Sequence, residues 1–231
     1  SIIIGAGAAG LMCAATASKK GSKVLLVDHA SAVGEKIRIS GGGRCNFTNL
    51  YVEPKNFISN NPHFCVSALK RFTQHDFISL VKKHQIAFHE KTLGQLFCDI
   101  SSKQIIEMLL QECAEGGAEI RLENQVSDVK KDGDFFEMKI SGELTKCRSL
   151  VIATGGLSIP KMGATSFGYD LARKFGLKII NPIPGLVPIT FSEEILKDSR
   201  ALSGVAVDSI VSCGKVSFRE ATLFTHRGLS G

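Results

Sequence analysis

The stretch GAGAAG at residues 5–10 constrains this chain more than any other feature. Before it lies the β-branched run Ile2-Ile3-Ile4, which reads as a buried parallel strand. After it, LMCAATASKK reads as a helix running through about Lys20, closed by Gly21 in the position glycine favours past a helix end. KVLLVD then gives a second buried strand ending in Asp28, 23 residues beyond Gly5. Gly-x-Gly-x-x-Gly alone is a weak signal, but between a strand and a helix, with an acid at that distance, it is the arrangement that receives a dinucleotide. Gly5 would make the tight turn, Gly7 would let a pyrophosphate approach the backbone, and Gly10 would let helix and strand pack closely. The amides of the helix tip around Ala9 would face the phosphates, and Asp28 would accept hydrogen bonds from an adenosine ribose. The alternative is a glycine turn in an α/β sheet that holds no ligand.

Composition narrows the class without naming a substrate. The 231 residues suffice for one large domain or two modest ones. The formal charge of +6 suits an anionic ligand, yet Lys and Arg are scattered. No basic helix or aromatic-interleaved basic block stands out, so no nucleic-acid partner is expected; the partner expected is a small-molecule substrate. Residues 1–18 carry no charge, but their glycines and short length argue against a membrane span. The seven cysteines form no CxxC and lie at least 15 residues apart, which fits free thiols in a reducing compartment, the cytoplasm. No metal-ligand spacing appears among the histidines.

Asp28 is followed by HASAVGEKIRISGGGRCNFTN, polar and glycine-rich, where a second helical crossover would be normal for an NAD-binding unit. The segment GEKIRISGGGRCNFTN resembles the signature of BaiN-like bacterial flavoproteins, often described as aminoacetone-oxidase-family FAD-binding enzymes of the glutathione-reductase-like fold. VIATGGLSIPKMGATSFGYDLARKFG (151–176) resembles that family's second glycine-rich motif, and PIPGLVPI and LFTHRGLSG continue the series. GQLFCDISSK matches a further stretch, with Cys98 where the family usually has proline.

The resemblance implies a Rossmann-like α/β FAD-binding domain with a β-meander crossover and a helical insertion, then the start of a β-rich inserted domain. It implies that Gly42, Gly43 and Arg44 lie along FAD, near its pyrophosphate and ribityl region, with Lys36 as a second polar contact. Val126 would meet the adenine through its backbone, and Thr154 and Gly155 would approach the cofactor from the end of a strand. The bland readings are a loop-holding salt bridge for Arg44, a solvated side chain for Lys36, and a strand-end turn for Thr154 and Gly155. The family continues beyond the last residue of this sequence, so the chain is expected to be part of a longer protein and to lack part of the flavin and substrate sites.

Along the rest of the chain, residues 61–116 read as helical. Asn61-Pro62 marks one start, Thr73-x-x-Asp76 a capping-box start, and Ser101-x-x-Gln104 a third. From Glu119 the pattern turns to strands, with a hairpin at Asp132-Gly133. The organisation expected is an incomplete FAD-binding domain over 1–187 and the beginning of a β-rich domain over 188–231. The function expected is an FAD-dependent oxidoreductase, with NAD(P)H-linked enone reduction or oxidation of a small amine as the two chemistries the resemblance offers. A plain NAD-dependent dehydrogenase and a non-catalytic flavin-binding or redox-sensing module are the alternatives. Cys45, beside Arg44, is either a redox thiol or a packing residue, and His226 either a donor to substrate or a loop residue. No catalytic acid or base is assigned.

Overall fold

Three consecutive isoleucines form an inner strand of the parallel sheet. In the computed structural model, which describes residues 1–185 and 187–230, they form β1 (Ile2–Ile4). The chain then turns into α1 (Ala8–Lys19) and returns as β2 (Leu25–Val27), parallel to β1 with Ile3 opposite Leu26. A short α2 (Glu35–Ile39) runs into a 3₁₀ turn over Ser40–Gly43 and then β3 (Asn46–Asn49). The helices α3 (Val66–Arg71) and α4 (Gln74–Lys83) follow, then β4 (Phe88–Glu90), β5 (Gln95–Cys98) and α5 (Lys103–Gly116).

The expectation of an all-helical stretch over 61–116 is corrected here. β4 and β5 lie inside it and form an antiparallel sheet with β3, in the order β3-β5-β4. Strands of three and four residues are too short to display a period of two. What holds them is aromatic packing: Phe47 of β3 meets Phe88 of β4 edge-on at 5.4 Å and Phe77 of α4 at 6.0 Å. Asn61-Pro62 does not open a helix. The Asn61 side chain accepts from the His63 amide, making a local turn, and α3 begins at Val66. Thr73 does cap α4: its hydroxyl accepts from the Asp76 amide at 3.2 Å, and the Asp76 carboxylate accepts from the Thr73 amide at 2.7 Å.

β6 (Glu119–Arg121) joins the parallel sheet beside β2. The meander β7 (Val126–Asp132), β8 (Phe135–Ile140) and β9 (Glu143–Cys147) is antiparallel. Asp132 pairs with Phe135, so the hairpin turns on Gly133-Asp134, one residue later than the sequence suggests. The chain comes back as β10 (Leu150–Ile152), parallel to β1, and ends this unit with α6 (Phe167–Lys174). The parallel order is β10-β1-β2-β6.

Alternation along β1 divides the core between the two faces of this sheet. Ile3 packs with Leu11, Ala14, Leu26 and Leu109, so α1 and α5 cover one face. Ile2 and Ile4 pack with Val27, Val129, Met138 and Ile140, so the meander covers the other. Each such fully buried aliphatic side chain contributes roughly 1.5–3 kcal/mol.

The chain divides into two compact units, Ser1–Ile179 and Ile180–Gly231. The second holds β11 (Ile189–Thr190), α7 (Glu193–Ser199), β12 (Ala206–Cys213), β13 (Val216–Thr225) and β14 (Gly228–Ser230). Its strands form one antiparallel sheet in the order β11-β14-β13-β12. Among the described residues no helix is long and apolar enough to cross a membrane.

A candidate dinucleotide site built from three glycine loops

The carboxyl ends of β1, β2 and β10 lie side by side, the edge where ligands bind in open α/β sheets. Gly5 leaves β1 at φ +107°, and a Cβ there would lie 2.5 Å from the Ala153 carbonyl oxygen. A Cβ on Gly10 would lie 1.8 Å from the Gly5 carbonyl oxygen. The protein's own backbone therefore excludes side chains at both positions. Gly7 is different, because a Cβ added there would meet nothing within 4 Å. Ala8 and Ala9, the first residues of α1, are exposed. The helix tip is open, and the space beside Gly7 fits a group that approaches backbone amides closely.

Asp28 closes this turn from the end of β2. Its Oδ2 accepts from the Ala6 amide at 2.6 Å and its Oδ1 from the Ala30 amide at 2.9 Å. Its first visible task is thus to hold the glycine turn against β2. A carboxylate offers about four lone-pair positions, so capacity remains for ribose hydroxyls. The Asn124 amide donates to the Asp28 carbonyl at 2.9 Å, which brings the approach to Val126 beside the same strand end.

The second loop is tied to the first through α2. The Gly34 amide donates to the Ala6 carbonyl at 2.9 Å. From α2, Lys36 donates to the Ser158 hydroxyl at 2.8 Å and reaches the Gly156 carbonyl at 3.4 Å. Lys36 therefore bridges to the third loop, where Thr154 and Gly155 stand, and Gly155 adopts φ +76°. Gly42 and Gly43 have φ of +64° and +84°, and a Cβ on either would meet nothing within 4 Å. The loop is clamped from behind, because the Ser102 amide donates to the Gly43 carbonyl at 2.7 Å and the Cys98 amide to the Arg44 carbonyl at 2.9 Å. Arg44 is exposed and donates to the Asp99 carbonyl. No salt bridge of Arg44 occurs among the described residues. Its remaining donors are free to meet an anion.

Ser158, the Ala6 and Ala30 amides and Gly34 are site features that sequence reasoning passed over. The glycine run before Ser158 was the available signal for it. Cys45 does not behave as an activated thiol. Burial pushes its pKa up, against a smaller opposing effect of its hydrogen bond with Ser40. Burial, with smaller contributions from the neighbouring Cys45 and Asp99, pushes Cys98 up to about 11. Arg44 does not reverse this, so both thiols are protonated near neutrality and pack in the core. His226 lies in the turn between β13 and β14, in the second unit. No cluster of metal-ligating side chains occurs among the described residues.

The model of the HI0933-like protein Rossmann domain family matches residues 1–225. The chain is 56% identical to the ribosomal RNA dihydrouridine synthase of Escherichia coli (strain K12), over all of this chain and 58% of that protein. It is 49% identical to the Haemophilus influenzae protein of the same name, covering 59% of it. It is 25% identical to the 3-dehydro-bile acid delta(4,6)-reductase of Clostridium scindens, covering 57% of that protein. The chain thus spans less than three fifths of the length of these relatives. Among solved structures, Thermovibrio ammonificans THI4 superposes with a TM-score of 0.50 at 13% identity, over 87% of this chain and 71% of that one, which supports the fold alone. The match along nearly the whole sequence, on a parallel sheet whose glycine turns gather at one edge, places the chain in the HI0933-like protein Rossmann domain family.

Proposed function

We propose that the chain is the cofactor-binding part of an FAD-dependent oxidoreductase that reduces a carbon–carbon double bond conjugated to a carbonyl, and that its substrate is a uracil base in ribosomal RNA. The observation that carries the cofactor is the open helix tip: Gly7 faces empty space while Gly5 and Gly10 are packed against protein. Ala8 and Ala9 would present amides to the pyrophosphate, Asp28 and the backbone at Val126 would flank the adenosine, and Gly42, Gly43 and Arg44 would follow the ribityl chain. Lys36 would fix the Thr154–Gly155 loop against it. When bound, FAD supplies two-electron redox chemistry.

The substrate class rests on the relatives. A dihydrouridine synthase and a reductase of a 3-dehydro bile acid share one chemical theme, because the uracil C5–C6 bond is conjugated to the C4 carbonyl as an enone is. Reduction adds a hydride to one alkene carbon and a proton to the other. A reduced nicotinamide is oxidised in balance, and water supplies the proton. This reading puts a base in RNA where the sequence analysis expects a small-molecule substrate.

The test uses the full-length gene product. Acid release and chromatography should yield FAD. Incubation with NADPH and ribosomal RNA from cells lacking the gene should convert uridine to dihydrouridine, read by nucleoside mass spectrometry. Release of a nicotinamide dinucleotide in place of FAD would overturn the cofactor, and unchanged uridine with a reducible flavin would overturn the substrate.

A further inference from the structure

Downstream of the glycine–arginine loop, β3 leads into residues 50–72, a segment with an unusual surface. Phe64 is 83% exposed and Tyr51 66% exposed, and Phe57 and Phe72 are also open to solvent. Exposed apolar side chains gathered on one stretch mark a contact surface where scattered single ones do not, and of these rings Phe72 also packs edge-on against Phe77 at 6.4 Å. Their neighbours are basic. From residue 41 to 75 the cationic side chains are Arg44, Lys55, Lys70 and Arg71, and Glu53 is the single acid. Lys55 neutralises Glu53 at 2.6 Å, which leaves Arg44, Lys70 and Arg71 as exposed cations with no acidic partner among the described residues.

The segment is anchored at its ends. The Leu50 amide donates to the Gly94 carbonyl at 2.8 Å, and the Gln74 side chain donates to the Leu50 carbonyl at 3.1 Å. It is also continuous with the candidate site. Gly41 of the glycine–arginine loop lies against the Phe97 ring of β5, and at the far end of the same sheet Gly94 lies against Tyr51. A four-residue strand spans about 13 Å, so the two ends are a few nucleotides apart.

We infer that residues 51–72 form a binding surface for single-stranded RNA. The exposed rings of Tyr51, Phe57 and Phe64 stack on bases, and Lys70 and Arg71 meet phosphates while a neighbouring base lies at the glycine–arginine loop. Aromatic platforms interleaved with cations are how sequence-tolerant binding of single strands is built. The composition hid this, because the cations are sparse in sequence and only the fold shows which rings stay exposed. The inference deepens the proposed function and rests on its choice of RNA as substrate.

The test measures binding of a fluorescein-labelled oligouridylate to the full-length protein by anisotropy, across a salt series. Three forms are compared: unaltered, Phe57→Ala with Phe64→Ala, and Lys70→Glu with Arg71→Glu. The aromatic pair should weaken binding on the order of tenfold or more with little change in salt dependence. The charge pair should weaken it and flatten the salt slope by about two. FAD content should be unchanged in both. Tight binding by the unaltered protein and both variants would overturn the surface while leaving RNA as substrate. No binding by the unaltered protein would overturn both surface and substrate, and the flavin assay above separates that from loss of the cofactor. A drop in melting temperature with unchanged RNA binding would show that the rest of the protein covers these rings, which also overturns the surface.

Discussion

The two units of this chain solve the same problem with unequal means. Ser1–Ile179 closes apolar clusters on both faces of a parallel sheet, with Ile3, Leu11, Leu26 and Val27 entirely enclosed. In Ile180–Gly231, Leu196 is the one buried hydrophobic side chain among the described residues, while Ile210 and Phe218 of the long hairpin stand mostly in solvent. That hairpin is held by its backbone ladder from Ala206↔Leu223 to Cys213↔Val216. A ladder without a covered face is marginal in water. The difference teaches that the glycine loops sit on the unit whose packing can hold them rigid, and that the second unit contributes a sheet face rather than a core.

The sharpest way to break this comparison is Gly10→Val. Its Cβ would press on the Gly5 carbonyl, which belongs to backbone and cannot rotate away. We expect a loss of roughly 3 kcal/mol or more, read as a lowered urea midpoint or as insoluble protein. Stability unchanged within about 1 kcal/mol would show that the helix does not pack on the strand end as described.

Glu112 gives the next effect. It is buried between α1, α4 and α5, ion-paired to Lys19, to Lys83 at 2.7 Å and hydrogen-bonded with His84 at 2.7 Å. Burial alone would push its pKa up, but the hydrogen bonds from Lys19, Lys83 and His84 outweigh it and hold the carboxyl at about 2. A folded pKa below the unfolded value stabilises fully above the unfolded value, near 4.5, and is lost as pH falls towards about 2. Acid titration should therefore remove on the order of 2–3 kcal/mol over that window, and Glu112→Gln should flatten that part of the curve. A variant with the same acid transition would show that another group governs it. Smallest of all, Ile210→Ser in the second unit should change stability by less than about 0.5 kcal/mol. A cost above about 1 kcal/mol would mean that this face is covered and the contrast between the units is wrong.

The sequence made the β1–α1–β2 unit and the Thr73 cap legible because each depends on near neighbours: a strand–glycine–helix order and a residue three places on. The β3-β5-β4 sheet was hidden because Phe88–Glu90 and Gln95–Cys98 are too short for a pattern and depend on Phe47, far away in sequence. The glycine loops were legible one by one, through their composition. Their assembly was not: the Lys36–Ser158 hydrogen bond joins residues 122 positions apart. Asp28 shows the same limit, because its place after β2 was readable while its grip on the Ala6 amide was not.

The most direct test of the open helix tip as the cofactor seat is the FAD content of the full-length protein carrying Gly7→Val, measured by acid release. Since a Cβ at position 7 would meet nothing within 4 Å, the variant should keep its urea midpoint and lose its flavin. Full flavin occupancy in a folded Gly7→Val protein would contradict the account.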